Sequence, residues 1–280
     1  MTGSEFAPVV FGLASAAFWG AGDFCGGLAT RRTSAIGVII ASQIVGVILL
    51  IGLALAFSEK MPQLAYFIGG GVGGLAGTVG LLALYRALAT GRMGLAAPVS
   101  GLVGAIVPIV FGAFAEGLPD TPQLIGFGLA LLAVWFISRA EDGAIRVGEL
   151  GLPILAGLSF GVFFIIINRV SDTAVLWPLV GARLASLATL ITLTMFTRRR
   201  WRPEGNRLPL IALVGVMEVG GNAFFALAGQ VGRLDVAAVL SSLYPATTVW
   251  LAWLILKERF TRLQSIGIVA ALVAIGLIAS

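Results

Sequence analysis

Residues 91–102 read GRMGLAAPVSGL, and residues 232–243 read GRLDVAAVLSSL. An offset of 141 residues superposes them, setting Gly91 on Gly232, Arg92 on Arg233, Ala96 and Ala97 on Ala237 and Ala238, Ser100 on Ser241, and Leu102 on Leu243. The same offset pairs Gln123 with Gln264 and Gly126 with Gly267. The second half of the chain therefore repeats the first, and the natural division is residues 1–140 and 141–280.

Composition says where such a duplicated unit lives. Hydrophobic residues make up 59% of the chain and charged residues only 11%, with a mean hydropathy of +1.03. A soluble domain carries roughly 25% charge, so the solvent here is lipid. Thirty-eight glycines suit helices whose backbones approach closely in a bilayer. Duplicated apolar helical units are the mark of a membrane carrier, which holds its substrate between the repeats. The net charge of +5 sits in short loops, where the positive-inside rule accounts for it and nucleic acid need not be invoked.

Other chemistries are excluded or disfavoured. The chain has no histidine, which rules out a His-based metal site, a His proton relay and a Ser-His-Asp triad. Its one cysteine, Cys25, cannot form an internal disulfide. No cofactor or metal is expected, and an intramembrane enzyme would need a cluster of acids or a nucleophile with its base. A channel would call for a ring of like residues from symmetric subunits. The opening MTGSEFAPVV lacks a basic n-region and a cleavage site, so no signal peptide is expected.

A spanning helix needs about 20 apolar residues. Ten runs qualify, near 8–28, 34–57, 64–88, 95–114, 122–138, 152–170, 178–197, 208–230, 236–255 and 262–280. The expected fold is all-α, ten transmembrane helices in two five-helix repeats. Five is odd, so the second copy enters the membrane from the opposite face and the repeat is inverted. Loops after odd-numbered spans hold 14 Arg or Lys, against Lys60, Arg169 and Arg233 after even-numbered spans. The odd loops are then cytoplasmic and both termini lie on the other side. Because both halves are in one chain, a monomer suffices.

Polar groups within these runs are costly and ask for a purpose. Glu218 and Asn222, four apart in GVMEVGGNAFF, share a helix face and offer a carboxylate and an amide to a substrate ammonium. The alternative is a Glu218 hydrogen-bonded to a neighbouring helix. Asp23, among glycines in WGAGDFCGG, is either a second acid of the site or the cap of a helix break. Asn168 reaches the cavity mouth or caps its own helix. Arg183 reads as a structural residue snorkelling or pairing near the interface. Ser242 and its neighbours Ser241, Thr247 and Thr248 bond substrate or their own backbone. Trp19, Tyr85, Phe163, Tyr244 and Trp250 form a pocket for an apolar or aromatic side chain, or face lipid. Trp135, Trp177 and Trp201 read as belt residues. Gly74 and Gly77 in GGGVGGLAGTVG, with Pro98, Pro108 and Pro245, supply bending for alternating access.

One stretch carries a family resemblance. Residues 241–276 show Ser242, Leu243 and Pro245 in a turn, an apolar helix, Glu258 in a charged loop, then Gln264 and Gly267 opening the last helix. The first copy has Glu116, Gln123 and Gly126, but Gly104 stands where Pro245 aligns. This pattern resembles the EamA-type unit of the drug/metabolite transporter superfamily, and the whole chain resembles the YddG-type aromatic amino-acid exporters. The resemblance implies a central cavity lined by spans 1, 3, 4, 6, 8 and 9. It implies a bacterial inner-membrane exporter of amino acids and related metabolites, with multidrug or nucleotide-sugar export as the alternative.

Overall fold

The computed structural model describes residues 3–30, 34–90, 93–138, 150–197, 207–257 and 261–278. Among them are helices and no strand, as a lipid solvent demands, since a helix satisfies its own backbone donors and acceptors. The first repeat gives α1 (Gly3–Thr30), α2 (Ala35–Ala56), α3 (Leu64–Thr90), α4 (Met93–Ala115) and α5 (Thr121–Ser138). The second gives α6 (Gly151–Val170), α7 (Leu176–Thr197) and α8 (Leu208–Val231). It ends with α9 (Leu234–Ser241), α10 (Tyr244–Leu256) and α11 (Arg262–Ile278).

Seven stretches are long and apolar enough to cross a membrane, α9 and α10 counting together as Leu234–Leu256. Three shorter apolar helices, Val99–Ala115, Thr121–Ile137 and Arg262–Ile278, complete the bundle. Large apolar side chains point outward, Phe114 and Phe196 being 89% and 84% exposed. Such a surface would aggregate in water and is at home in lipid. The chain is a multi-pass membrane protein.

Inside, the two copies meet as reciprocal partners. A Cβ at Gly126 of α5 would lie 2.7 Å from Ile278 Cγ1 and 3.1 Å from the Ala274 carbonyl oxygen of α11. A Cβ at Gly267 of α11 would lie 2.8 Å from Ile137 Cγ1 and 3.0 Å from the Ala133 carbonyl oxygen of α5. Each residue of the first contact stands 141 positions from its counterpart in the second. Residue i touching j while j's copy touches i's copy is the signature of a twofold. Gly74 on the Ala182 backbone (α3 on α7) is likewise mirrored by Gly215 on the Ser42 backbone (α8 on α2). Gln43 and Arg183, equivalent at an offset of 140, hydrogen-bond to each other, which places them on the axis.

Three expectations change here. The run 69–80 is not an open, bulk-free hinge: Gly70 and Gly74 sit on the Pro178 and Ala182 backbones, and Gly73 and Gly77 on Ile166 and Phe163. These glycines are contact surfaces, at which a side chain would force the helices apart. The ninth span is two helices, with Ser242 and Leu243 in the break and Pro245 in the first turn of α10. There its missing N–H costs nothing. In contrast α4 passes through Pro98 and the buried Pro108 without interruption. Finally, α1 is continuous through Asp23, so that acid caps no break.

Candidate functional site

α1 and α8 run antiparallel along the centre, joined by small residues. Ser15 Oγ donates to the Gly221 carbonyl at 2.9 Å. Gly220 and Gly221 leave room for the rings of Phe18 and Trp19, which a side chain at either position would strike. The bare backbone of α8 is thus the seat that holds Trp19 inward. Its indole stacks on Phe164 of α6 at 5.4 Å and on Phe225 of α8 at 5.8 Å between ring centroids. Phe164 contacts Phe225 at 4.7 Å and Phe163 at 5.7 Å. Offset and tilted pairs at these spacings add to the burial of the rings themselves. The result is an aromatic wall across the bundle, built from three helices and both repeats.

One helical turn beyond Trp19 on the same face of α1 comes Asp23, and one turn further Gly27. Both are exposed, towards the end of the bundle where the odd-numbered spans finish. The Glu218 carboxylate rests against Gly22: a Cβ there would be 3.2 Å from its Oε1. Asp23 follows Gly22 directly, and the Tyr244 carbonyl at the start of α10 faces Gly20 of α1. The Tyr244 hydroxyl reaches towards α4, 3.3 Å from where a Gly101 Cβ would be. Two carboxylates and a phenol therefore lie where α1, α8 and α10 meet, one to two turns from the aromatic wall.

Behind α8 lies a fixed cation. Arg183 is only 7% exposed. Its Nη1 donates to Gln43 Oε1 at 2.9 Å, and Gln43 Nε2 donates to Ser186 Oγ at 3.1 Å. Thr78 Oγ1 donates to the same Ser186 oxygen at 2.9 Å. Arg183 Nη2 has no hydrogen-bond partner among the described residues, and the guanidinium acts electrostatically on Glu218. Arg183 pairs in the interior and does not snorkel.

The remaining predicted residues fall in different places. Asn222 Nδ2 donates to the Glu218 carbonyl at 2.8 Å, a bond within its own helix. Ser242 Oγ donates to Val239 at 2.7 Å, also locally, while Thr248 Oγ1 donates across to the Gly20 carbonyl at 3.0 Å. Asn168 packs on Gly229 at the far end of α6, away from the carboxylates. Trp250 is half exposed. Trp177 Nε1 donates to the Glu59 carbonyl at 2.9 Å, tying α7 to the loop after α2. Tyr85 and Pro98 lie on α3 and α4 with side chains outside the described set. Arg92, Arg139, Trp201 and Glu258 are outside the described residues. Phe164, Phe224 and Phe225 complete the aromatic group, Phe224 through Phe18 at 5.3 Å and Phe11 at 6.0 Å.

This arrangement, a duplicated helical unit with acids and aromatic rings between its apolar helices, is that of a membrane carrier. The sequence matches the EamA-like transporter family twice, over residues 7–139 and 147–280. The chain belongs to that family and to the drug/metabolite transporter superfamily of carriers. Twenty-nine solved chains share its fold. One, titled "Crystal structure of protein", has a TM-score of 0.80 at 15% identity, covering 96% of this chain and 95% of its own. No curated protein matches.

Proposed function

We propose that this carrier exports amino acids, aromatic ones among them, and related small metabolites across the bacterial inner membrane by alternating access. The observation that carries the reading is the exposed Asp23 and the Glu218 carboxylate resting on Gly22, set near the Trp19–Phe164–Phe225 wall. A substrate ammonium finds negative charge there, and an apolar or aromatic side chain finds rings to stack on. Two carboxylates attract an organic cation or a zwitterion and repel the diphosphate of a nucleotide sugar. Ten crossings, with the second five inverted, make the site accessible from each side in turn as the halves rock. The odd-numbered loops face the cytoplasm, from which substrate enters.

Purified protein in liposomes tests this. Labelled phenylalanine, methionine or threonine is expected to exchange across the membrane, and Glu218→Gln to lower that exchange about thirty-fold. A quaternary ammonium dye transported in the absence of amino-acid flux would replace the substrate class with organic cations.

A further inference from the structure

The end of the bundle opposite these carboxylates is held by a different kind of contact. There α4 of the first repeat finishes against the start of α9 in the second. A helix leaves its last carbonyls and first amides without intrahelical partners, and here each end is completed by the other. Arg233, just before α9, donates from Nη2 to the Gly117 carbonyl at 2.6 Å and from Nη1 to the Glu116 carbonyl at 3.4 Å. Gly117 has φ +88°, the left-handed conformation that turns the chain after α4. In return Glu116 Oε2 accepts from the Leu234 amide at 3.4 Å. Positive charge thus meets the negative end of α4, and negative charge the positive end of α9.

Asp235 locks the arrangement. It is fully buried, packed on Gly112 of α4. It accepts from Arg233 Nη2 at 2.7 Å and Nε at 3.1 Å, and from the Val236 amide at 2.8 Å. These hydrogen bonds hold the Arg233 guanidinium above its ordinary pKa even though partial burial opposes this, so the cation is permanent. Around the clasp, Arg169 lies 5.2 Å over the Phe111 ring and Gln230 Nε2 donates to the Ser171 carbonyl.

We propose that Arg233, Asp235 and Glu116 form a latch that holds this end of the carrier shut, and that its release is the step by which this end opens. The proposal rests on alternating access and is independent of which substrate is carried. Separating α4 from α9 exposes the buried Asp235–Arg233 pair that packs on Gly112, and it uncaps two helix ends at once. Arg233 is 27% exposed, which lets water take over its donors as it leaves.

The test uses full-length protein in lipid nanodiscs with Cys25→Ser. One reporter is Ser171→Cys, a near-isosteric change at a buried hydroxyl behind the latch with no partner among the described residues. The other is Gly27→Cys on the exposed inner face of α1, where a Cβ meets nothing within 4 Å. Labelling by a charged thiol reagent is timed for each. Arg233→Gln is expected to speed Ser171→Cys labelling about ten-fold, as for loss of a charge-assisted hydrogen-bond set, and to slow Gly27→Cys labelling. Arg233→Lys, which keeps the cation, should fall between. Unchanged Ser171→Cys labelling in Arg233→Gln would overturn the latch. So would acceleration at both reporters, which signifies general loosening.

Discussion

α5–α11 and α4–α9 both join the two repeats, yet they are built on opposite principles. The α5–α11 seam is reciprocal and apolar: Gly126 on Ile278 is answered by Gly267 on Ile137. Among the described residues the α4–α9 junction is polar and made from one side, with Arg233 bound to the Gly117 carbonyl and Asp235 buried against Gly112. The same asymmetry runs through spans four and nine. α4 is one helix, whereas its counterpart is broken at Ser242 and Leu243 between α9 and α10. Duplicated sequence keeps its symmetry in the apolar seam and loses it in spans four and nine.

The largest effect should come from spoiling the symmetric contacts. Gly74→Leu and Gly215→Leu each drive a side chain into the facing helix backbone and should cost about 3 kcal/mol or more. Loss of monodisperse protein on size exclusion and a lowered melting temperature would register this. Equal damage at the two positions would confirm that they are twins.

Next come the carboxylates. Glu218→Gln should leave the melting temperature unchanged and lower phenylalanine flux about thirty-fold, the scale for losing one member of a desolvated charge pair. Asp23→Asn, at the wetter position, should lose less. Healing the break is expected to matter less again. Pro245→Ala restores a backbone donor in the first turn of α10 and should alter flux only a few-fold. Gly104→Pro, its converse in the uninterrupted α4, should destabilise by about 3 kcal/mol. Smallest is Ser242→Ala, because that hydroxyl is spent on Val239. A stability loss of about 1 kcal/mol with flux within two-fold is expected, and a larger flux loss would make Ser242 a substrate contact.

Much of the scaffold was legible because small residues leave a periodic trace. The 141-residue offset picked out Gly126 and Gly267 before their contacts were visible, and Gln43 and Arg183 aligned before they proved to be bonded. Apolar run lengths placed the helices to within a few residues. The site was harder to read. Phe224 and Phe225 stand in a helix that is hydrophobic all round, where no periodicity separates a wall-forming ring from a lipid-facing one. Asn222 has the right spacing from Glu218, but an amide can satisfy itself on the backbone one turn back, and it does. The glycines of 69–80 read as freedom because sequence does not reveal what stands opposite; the backbones of Pro178 and Ala182 do. Asp235 has a signal in the sequence itself: an acid two residues after an arginine, at the opening of an apolar run.

The reciprocal seam has a mechanical consequence. Exchanging the roles of the two halves leaves the α5–α11 contacts as they were, so under the rocking proposed above this bearing contributes equally to both positions and favours neither. On that proposal, any preference of the resting protein for one face of the membrane comes from parts where the halves differ. Directional bias would then be retuned at a single surface turn, while the bearing stays untouched.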